Sequence, residues 1–299
     1  TVQINREGTM ATRQTQTLAR LMMAPSVVLL FIWMAVPLAM TLYYSFRLYR
    51  LLSPDRTGWV GFTNYLWFFN SPDFWLAMWN TLALVGGVLI ITVVLGVLIA
   101  LLIDQPVKGQ GMLRILVIAP FFVMPPVAAS IWENLFMHPQ NGLFSAVARG
   151  FGMQPILFLE DYPLWSVIGI VSWEWLPFAT LILLTSLQSL SSEQLEAAEM
   201  DGASAVNRFR FIILPHMMRA ITVVILIQTI FLLGIFGEIF TTTQGGPGSA
   251  STTLPYMIFK QAIAAKDIGR AAAGGIIAVI LANIVAYFLM RGIGRHLDT

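Results

Sequence analysis

The chain has 299 residues, 57% of them hydrophobic and 11% charged, with a mean hydropathy of +0.76. A soluble domain carries about 25% charged side chains, so 17 basic and 15 acidic residues are too few to solvate a globule of this length. A water-soluble enzyme fold is excluded, and the chain reads as a bilayer protein. The net charge of +2, with Lys and Arg scattered between apolar runs, argues against nucleic acid as a partner. Cysteine is absent, which removes disulfide, thiolate and Cys-ligated metal chemistry. His138, His216 and His296 stand far apart in no metal-ligand spacing, so no metal site is expected.

A polar segment, 1–20, precedes the first apolar run, which is too long for the apolar region of a cleavable signal peptide. A helix crossing a hydrocarbon core needs about 20 apolar residues. Six runs meet or approach that length, at about 21–45, 77–103, 113–136, 164–190, 211–240 and 271–290. All are expected to be helices, because in lipid a helix satisfies its own backbone. The fold expected is an all-α polytopic membrane protein, with a permease domain over 21–292 and a short tail over 293–299. Pro120 and the pair Pro125-Pro126 interrupt the third run, either kinking it or ending it.

Six crossings place both termini on one side. With that side cytoplasmic, Arg6, Arg13, Arg20, Lys108, Arg114, Arg208, Arg210, Arg219, Arg291 and Arg295 lie inside. Arg47, Arg50, Arg56, Arg149, Lys260, Lys266 and Arg270 lie outside, and the positive-inside rule favours this direction by a small margin. The connection 46–76 is rich in Tyr, Trp and Phe, the residues of an interfacial belt. In 141–152, Leu143, Val147 and Phe151 recur every four residues, predicting a short amphipathic helix on the membrane surface.

Charge concentrates in 191–215, between the fourth and fifth runs. Ser191 with Gln194 has capping-box spacing, and Leu190 is placed to staple onto Leu195. Gly202 offers a left-handed stop, and a second short helix is expected from Ser204. Physics alone fits two readings, a helical element that docks into a partner's groove and an ordinary well-capped surface loop.

Glu196-Ala197-Ala198, Asp201-Gly202-Ala203, then Phe209, Ile212, Leu214 and Pro215 resemble the EAA loop of ABC-importer permeases in order and spacing. Shorter stretches are similar to the maltose-type sugar permeases. They include Asn80-Thr81-Leu82, Pro125-Pro126-Val127-Ala128-Ala129, Asn141-Gly142-Leu143, and Gly245-Gly246-Pro247 with Tyr256. The last resembles the branch that forms the first of two unlike permease subunits. The resemblance covers most of 25–275 and implies that Glu196, Ala197, Ala198, Asp201, Gly202, Ala203 and Pro215 couple the chain to a cytoplasmic ATPase dimer. It also implies a second, sister permease in a heterodimer, although a homodimer stays open. Further partners implied are an extracytoplasmic solute-binding protein, a sugar or polyol substrate, and the lipid of a bacterial inner membrane.

A sugar path needs a few polar groups and an aromatic platform. Glu174 falls near the middle of the fourth run, with Trp175 and Phe178 on its helical stripe, while Gln228, Phe231, Leu232, Ile235 and Glu238 form a matching stripe on the fifth. Intramembrane acids are the default candidates, and Glu133 is a third. Glu133 and Glu238 also fit a simpler role, reaching interfacial water near helix ends. Glu174 fits an interhelical hydrogen bond equally well, and Trp175 fits packing. No G-x-x-x-x-G-K-[ST] occurs, so no cofactor is expected on this chain; ATP and Mg belong to the partner ATPase. The rival function is an ion-coupled secondary transporter, whose two related halves are not evident here.

Overall fold

The computed structural model describes residues 13–105 and 109–293. The charges of Arg6, Lys108 and Arg295, and the side chain of Arg13, lie outside the described residues, as do the terminal segments 1–12 and 294–299.

Among the described residues, five helices are long and apolar enough to cross a membrane, and a bent pair makes a sixth if it is one span. The first, α1 (Arg13–Ser45), packs against the last, α14 (Ile268–Ile293), yet its most apolar stretch buries nothing inside the chain. Such a surface is stable only against lipid or another protein. A two-residue ribbon, β1 (Arg47–Leu48) with β2 (Gly58–Trp59), leads to α2 (Thr63–Phe69) and then to α3 (Pro72–Asp104). Pro72 opens α3 where the missing N–H costs nothing. No charge interrupts α3 between Asp73 and Asp104, so the whole length can sit in hydrocarbon.

The third run is broken rather than gently kinked. α4 (Gln110–Ile118) continues as a 3₁₀ turn over Ala119–Phe122. The chain then bends by 107° before α5 (Pro125–Ile131) and a π turn over Trp132–Phe136. Three prolines explain it: each lacks a donor, and the residue before a proline is pushed to extended backbone, as Met124 is at ψ 136°. The expected surface helix is α6 (Leu143–Gly150), with Leu143, Val147 and Phe151 exposed along one side.

After α7 (Phe158–Asp161), α8 (Pro163–Gln188) packs along α3 in two apolar zones. Leu84 and Val88 meet Val167, Ile168 and Val171 in one, and Val97, Ala100 and Ile103 meet Ala179, Leu183 and Leu187 in the other. Gly96 permits this closeness, since a Cβ there would sit 3.1 Å from Leu183 Cδ1 and 3.3 Å from Ala179 Cβ.

The two short helices α9 (Ser192–Met200) and α10 (Ala205–Arg208) precede a π turn (Phe209–Ile213) and α11 (Leu214–Leu232). The fifth crossing therefore stops at Leu232 instead of reaching residue 240. Gly234 and Gly237 break the ladder, and Glu238 sits on a separate helix, α12 (Gly237–Thr241). The chain returns through α13 (Leu254–Phe259) to α14. The intervening loop is pinned to α3: Asn80 Nδ2 donates to the carbonyls of Ser249, Ala250 and Thr252, and Thr81 Oγ1 accepts from Leu254 N at 2.8 Å.

Candidate functional site

Three places carry polar chemistry: the connection between α8 and α11, the middle of the helix pair, and the opposite mouth. In the connection, Glu196 and Ala197 of α9 are exposed, and Ala198 is half-buried. Gly202 ends α9 at φ +80°, with its N–H donated to Glu199 O at 3.0 Å and that of Ala203 to Ala198 O at 2.9 Å. Asp201 N bonds Ala197 O at 3.0 Å in the same closing turn. The capping box does not form. Gln194 N bonds the Ser191 backbone carbonyl instead, and the Ser191 hydroxyl makes no cap bond. The side-chain cap is found one helix later, where Ser204 Oγ accepts from Asn207 N at 3.3 Å.

Two cross-links hold this element as a unit. Arg208 pairs with Glu199 at 2.7 Å, folding α10 back on α9. At the base, His216 Nε2 lies 3.0 Å from both Ser189 Oγ and Ser186 O, tying the end of α8 to the first turn of α11 beside the exposed Pro215. Next to this clasp is a cavity of about 900 Å³ lined by Ser186, Ser189, Pro215, His216 and Arg219. The outer face carries two apolar side chains with nothing over them, Met200 at 88% and Val206 at 72% exposed.

In the middle, Gln228 is fully buried and joins three helices. It accepts from Thr92 Oγ1 of α3 at 2.7 Å and donates to the Trp175 carbonyl of α8 at 3.1 Å. The amide thus fixes the position of Trp175. Around that indole gather Phe178 at 5.8 Å, Phe231 at 5.4 Å and Phe121 at 5.9 Å between ring centroids, with Phe121 also stacked on Phe178. Phe231 is 60% exposed. Phe121 comes from the break in the third crossing. Its adjacency to Pro120 was the sole sequence signal for it, whereas nothing local marked Thr92 or His216.

Glu174 and Glu238 are both buried, and neither oxygen of Glu174 has a hydrogen-bond partner among the described residues. Leu232 packs into the core with Leu84 and Val167. Glu133 lies apart from this group. It lines a mouth cavity of about 420 Å³ with His138, Glu160, Thr242, Thr243 and Pro247. Among the described residues no cluster of His, Asp or Glu could hold a metal.

The mouth depends on Gly142, where a Cβ would lie 2.6 Å from His138 N, His138 O and Phe136 O, all backbone atoms that cannot step aside. Gly142→Ala is expected to destabilise the folded protein by about 1–3 kcal/mol, read as a lowered midpoint of thermal unfolding in detergent. Gly150→Ala, with nothing within 4 Å of its Cβ, is the control expected to leave the midpoint unchanged.

A family profile described as "Binding-protein-dependent transport system inner membrane component" matches residues 18–299. The chain belongs to that family. It is a transport permease and not an enzyme, and the ion-coupled alternative falls with this assignment. The permease is 31% identical over 280 residues to the probable ABC transporter permease protein y4oQ of Sinorhizobium fredii, covering 91% of this chain and 90% of that one. It is also 31% identical to the trehalose/maltose transport system permease protein MalF of Thermococcus litoralis, covering 81% of this chain and 82% of that one. Its fold superposes with a TM-score of 0.79 on a chain of a bacterial ABC transporter involved in alginate import, at 22% identity and over 94% and 96% of the two chains. The permease is a multi-pass inner-membrane protein.

Proposed function

We propose that this permease moves a neutral sugar or polyol, delivered by an extracytoplasmic solute-binding protein, through a path shared with a sister permease. A cytoplasmic ATPase dimer supplies the energy, and ATP and Mg bind there. The observation that carries this reading is the aromatic group of Phe121, Trp175, Phe178 and Phe231, built inside the membrane and partly open. Sugars present C–H faces to such rings. Relatives named for trehalose/maltose, trehalose and arabinooligosaccharide transport support the substrate class.

The exposed loop of α9 and α10 is the surface that docks on the ATPase, with Glu196 and the apolar Met200 and Val206 as its contacts. On this reading the loop and both termini lie on the cytoplasmic side. Movement of the ATPase reaches the path through the His216 clasp, because α8 and α11 carry Trp175 and Phe231 as well as the loop's two ends. The substrate shifts the access equilibrium only by binding the two states unequally.

Pull-down of the chain from its native membrane in mild detergent, followed by mass spectrometry, tests the assembly. A stoichiometric ATPase with a phosphate-binding Gly-rich loop and a second six-span permease are expected. Recovery of this chain alone, moving solute without ATP, would overturn the reading.

A further inference from the structure

Residues 46–71 fold back over the start of α14 and enclose a cavity of about 310 Å³, lined by Leu48, Arg50, Thr63, Trp67, Asn70 and Arg270 among others. Two guanidinium groups from distant parts of the chain enter it and share one buried carboxylate. Arg50 Nε lies 2.9 Å, and Arg270 Nε 3.5 Å, from Asp267 Oδ2. The other Asp267 oxygen accepts the Arg270 N–H at 3.0 Å and caps α14. Two positive charges against one negative leave a surplus of positive charge. The Nη groups of both arginines have no acceptor among the described residues.

The frame around them is rigid. Asn64 Nδ2 is spent on the carbonyls of Ser45 and Arg47, both at 2.9 Å, and the Arg270 guanidinium rests 4.5 Å from the Trp67 ring centroid. That cation–π contact orients the fork without neutralising it. The surroundings are of a different kind: Trp59, Phe62, Leu66 and Phe69 are all exposed on the same segment, and Trp75 is exposed just after it at the start of α3. Exposed aromatic residues of this sort sit at headgroup level in a bilayer, whereas a dock for a soluble protein would carry a polar rim.

We propose that this cavity binds the phosphate of an anionic phospholipid, in the leaflet on the side opposite the α9–α10 loop. The planar guanidinium forks match phosphate oxygens, and Phe62 and Leu66 cover the first carbons of the acyl chains. The bound lipid adds a further link between the β1–α2 segment and the start of α14, which already meet through Asp267, through Gly269 N donating to Tyr49 O at 3.2 Å and through Arg270 over Trp67. This proposal needs only the placement of the chain in a membrane, so it does not depend on substrate, ATPase or transport.

The test uses the full chain, purified with the subunits that accompany it and reconstituted into nanodiscs of equal parts phosphatidylglycerol and phosphatidylcholine. Lipid retained after detergent extraction is then measured by mass spectrometry. Phosphatidylglycerol is expected in excess, and that excess should fall about fivefold with each of Arg50→Gln and Arg270→Gln. Asn70→Asp puts a negative charge into the cavity without touching the Asp267 clamp, and is expected to expel the lipid from a normally folded protein. Asp267→Asn removes the competing carboxylate and should raise retention, whereas a purely structural clamp would lower it. Unchanged retention in Arg270→Gln and Asn70→Asp would overturn the proposal. So would stabilisation of the detergent-solubilised protein by inorganic phosphate equal to that by phosphatidylglycerol, which would make the cavity a site for free anions.

Discussion

Glu196→Lys and Gly202→Val are each expected to detach or uncouple the ATPase while leaving the membrane helices folded. Glu196 is exposed and its side chain makes no hydrogen bond or ion pair among the described residues, so reversing its charge removes no internal side-chain contact. At Gly202 a Cβ would meet nothing within 4 Å, but φ is +80°. A branched residue there costs about 1–2 kcal/mol in backbone strain, and the strain is relieved by re-aiming α10 relative to α9. Breaking one charged contact in an interface costs about 2 kcal/mol or more, about thirtyfold in affinity. Co-purification of the ATPase and ATP-dependent uptake are the readouts, with the thermal midpoint unchanged. Normal association and uptake in both variants would remove the coupling role from this loop.

Trp175→Ala is expected to give the largest loss of transport from a single change in the membrane interior. The indole is the hub of three ring contacts, from the broken third crossing, from its own helix and from α11. Aromatic pairs contribute about 0.5–1.5 kcal/mol each beyond area burial, so losing the hub weakens any sugar contact and frees Phe121 and Phe231 together. Uptake at low substrate is expected to fall by about tenfold or more, and Phe178→Ala should do the same to a lesser degree. Trp165→Ala is the control, since that indole is exposed on the outer surface. If Trp175→Ala and Glu174→Gln both left uptake kinetics untouched, the path would lie elsewhere.

Gln228 has a different part in this prediction. Both ends of its amide are bonded, to Thr92 and to the Trp175 carbonyl, so it acts by holding the platform in place. The two acids are a contrast: Glu174 and Glu238 are buried, with no basic partner among the described residues, and the Glu174 oxygens have no hydrogen bond. Hydroxyl donors on a substrate could satisfy those oxygens only if the seam between α8 and α12 opened.

Much of the architecture was written locally. Hydropathy alone located the membrane-crossing runs, since a stretch such as Leu82–Ile103 has no stable state but a helix in lipid. Gly202 and Ser204 foretold the stop and restart of the loop, because left-handed backbone and N-caps select residue types one at a time. Local spacing also misled. Ser191 and Gln194 have the pattern of a capping box, yet the backbone carbonyl of Ser191 takes the bond. The apolar run to residue 240 concealed a helix end at Leu232, because Gly234 and Gly237 weigh little in a hydropathy window.

What the sequence could not contain was the pairing of distant polar groups. Thr92 meets Gln228, Ser189 meets His216, and Arg50 meets Asp267 across separations of 136, 27 and 217 residues. Three prolines announced a break in the third crossing, but the 107° bend that delivers Phe121 to Trp175 depends on where α8 stands. Composition and periodicity determined that this chain is a helical membrane protein with an exposed polar loop, because burial in lipid and capping are short-range demands. The tertiary structure alone decided which side chains meet, because buried polar and aromatic groups are satisfied by whatever the packing of helices brings within a few ångströms.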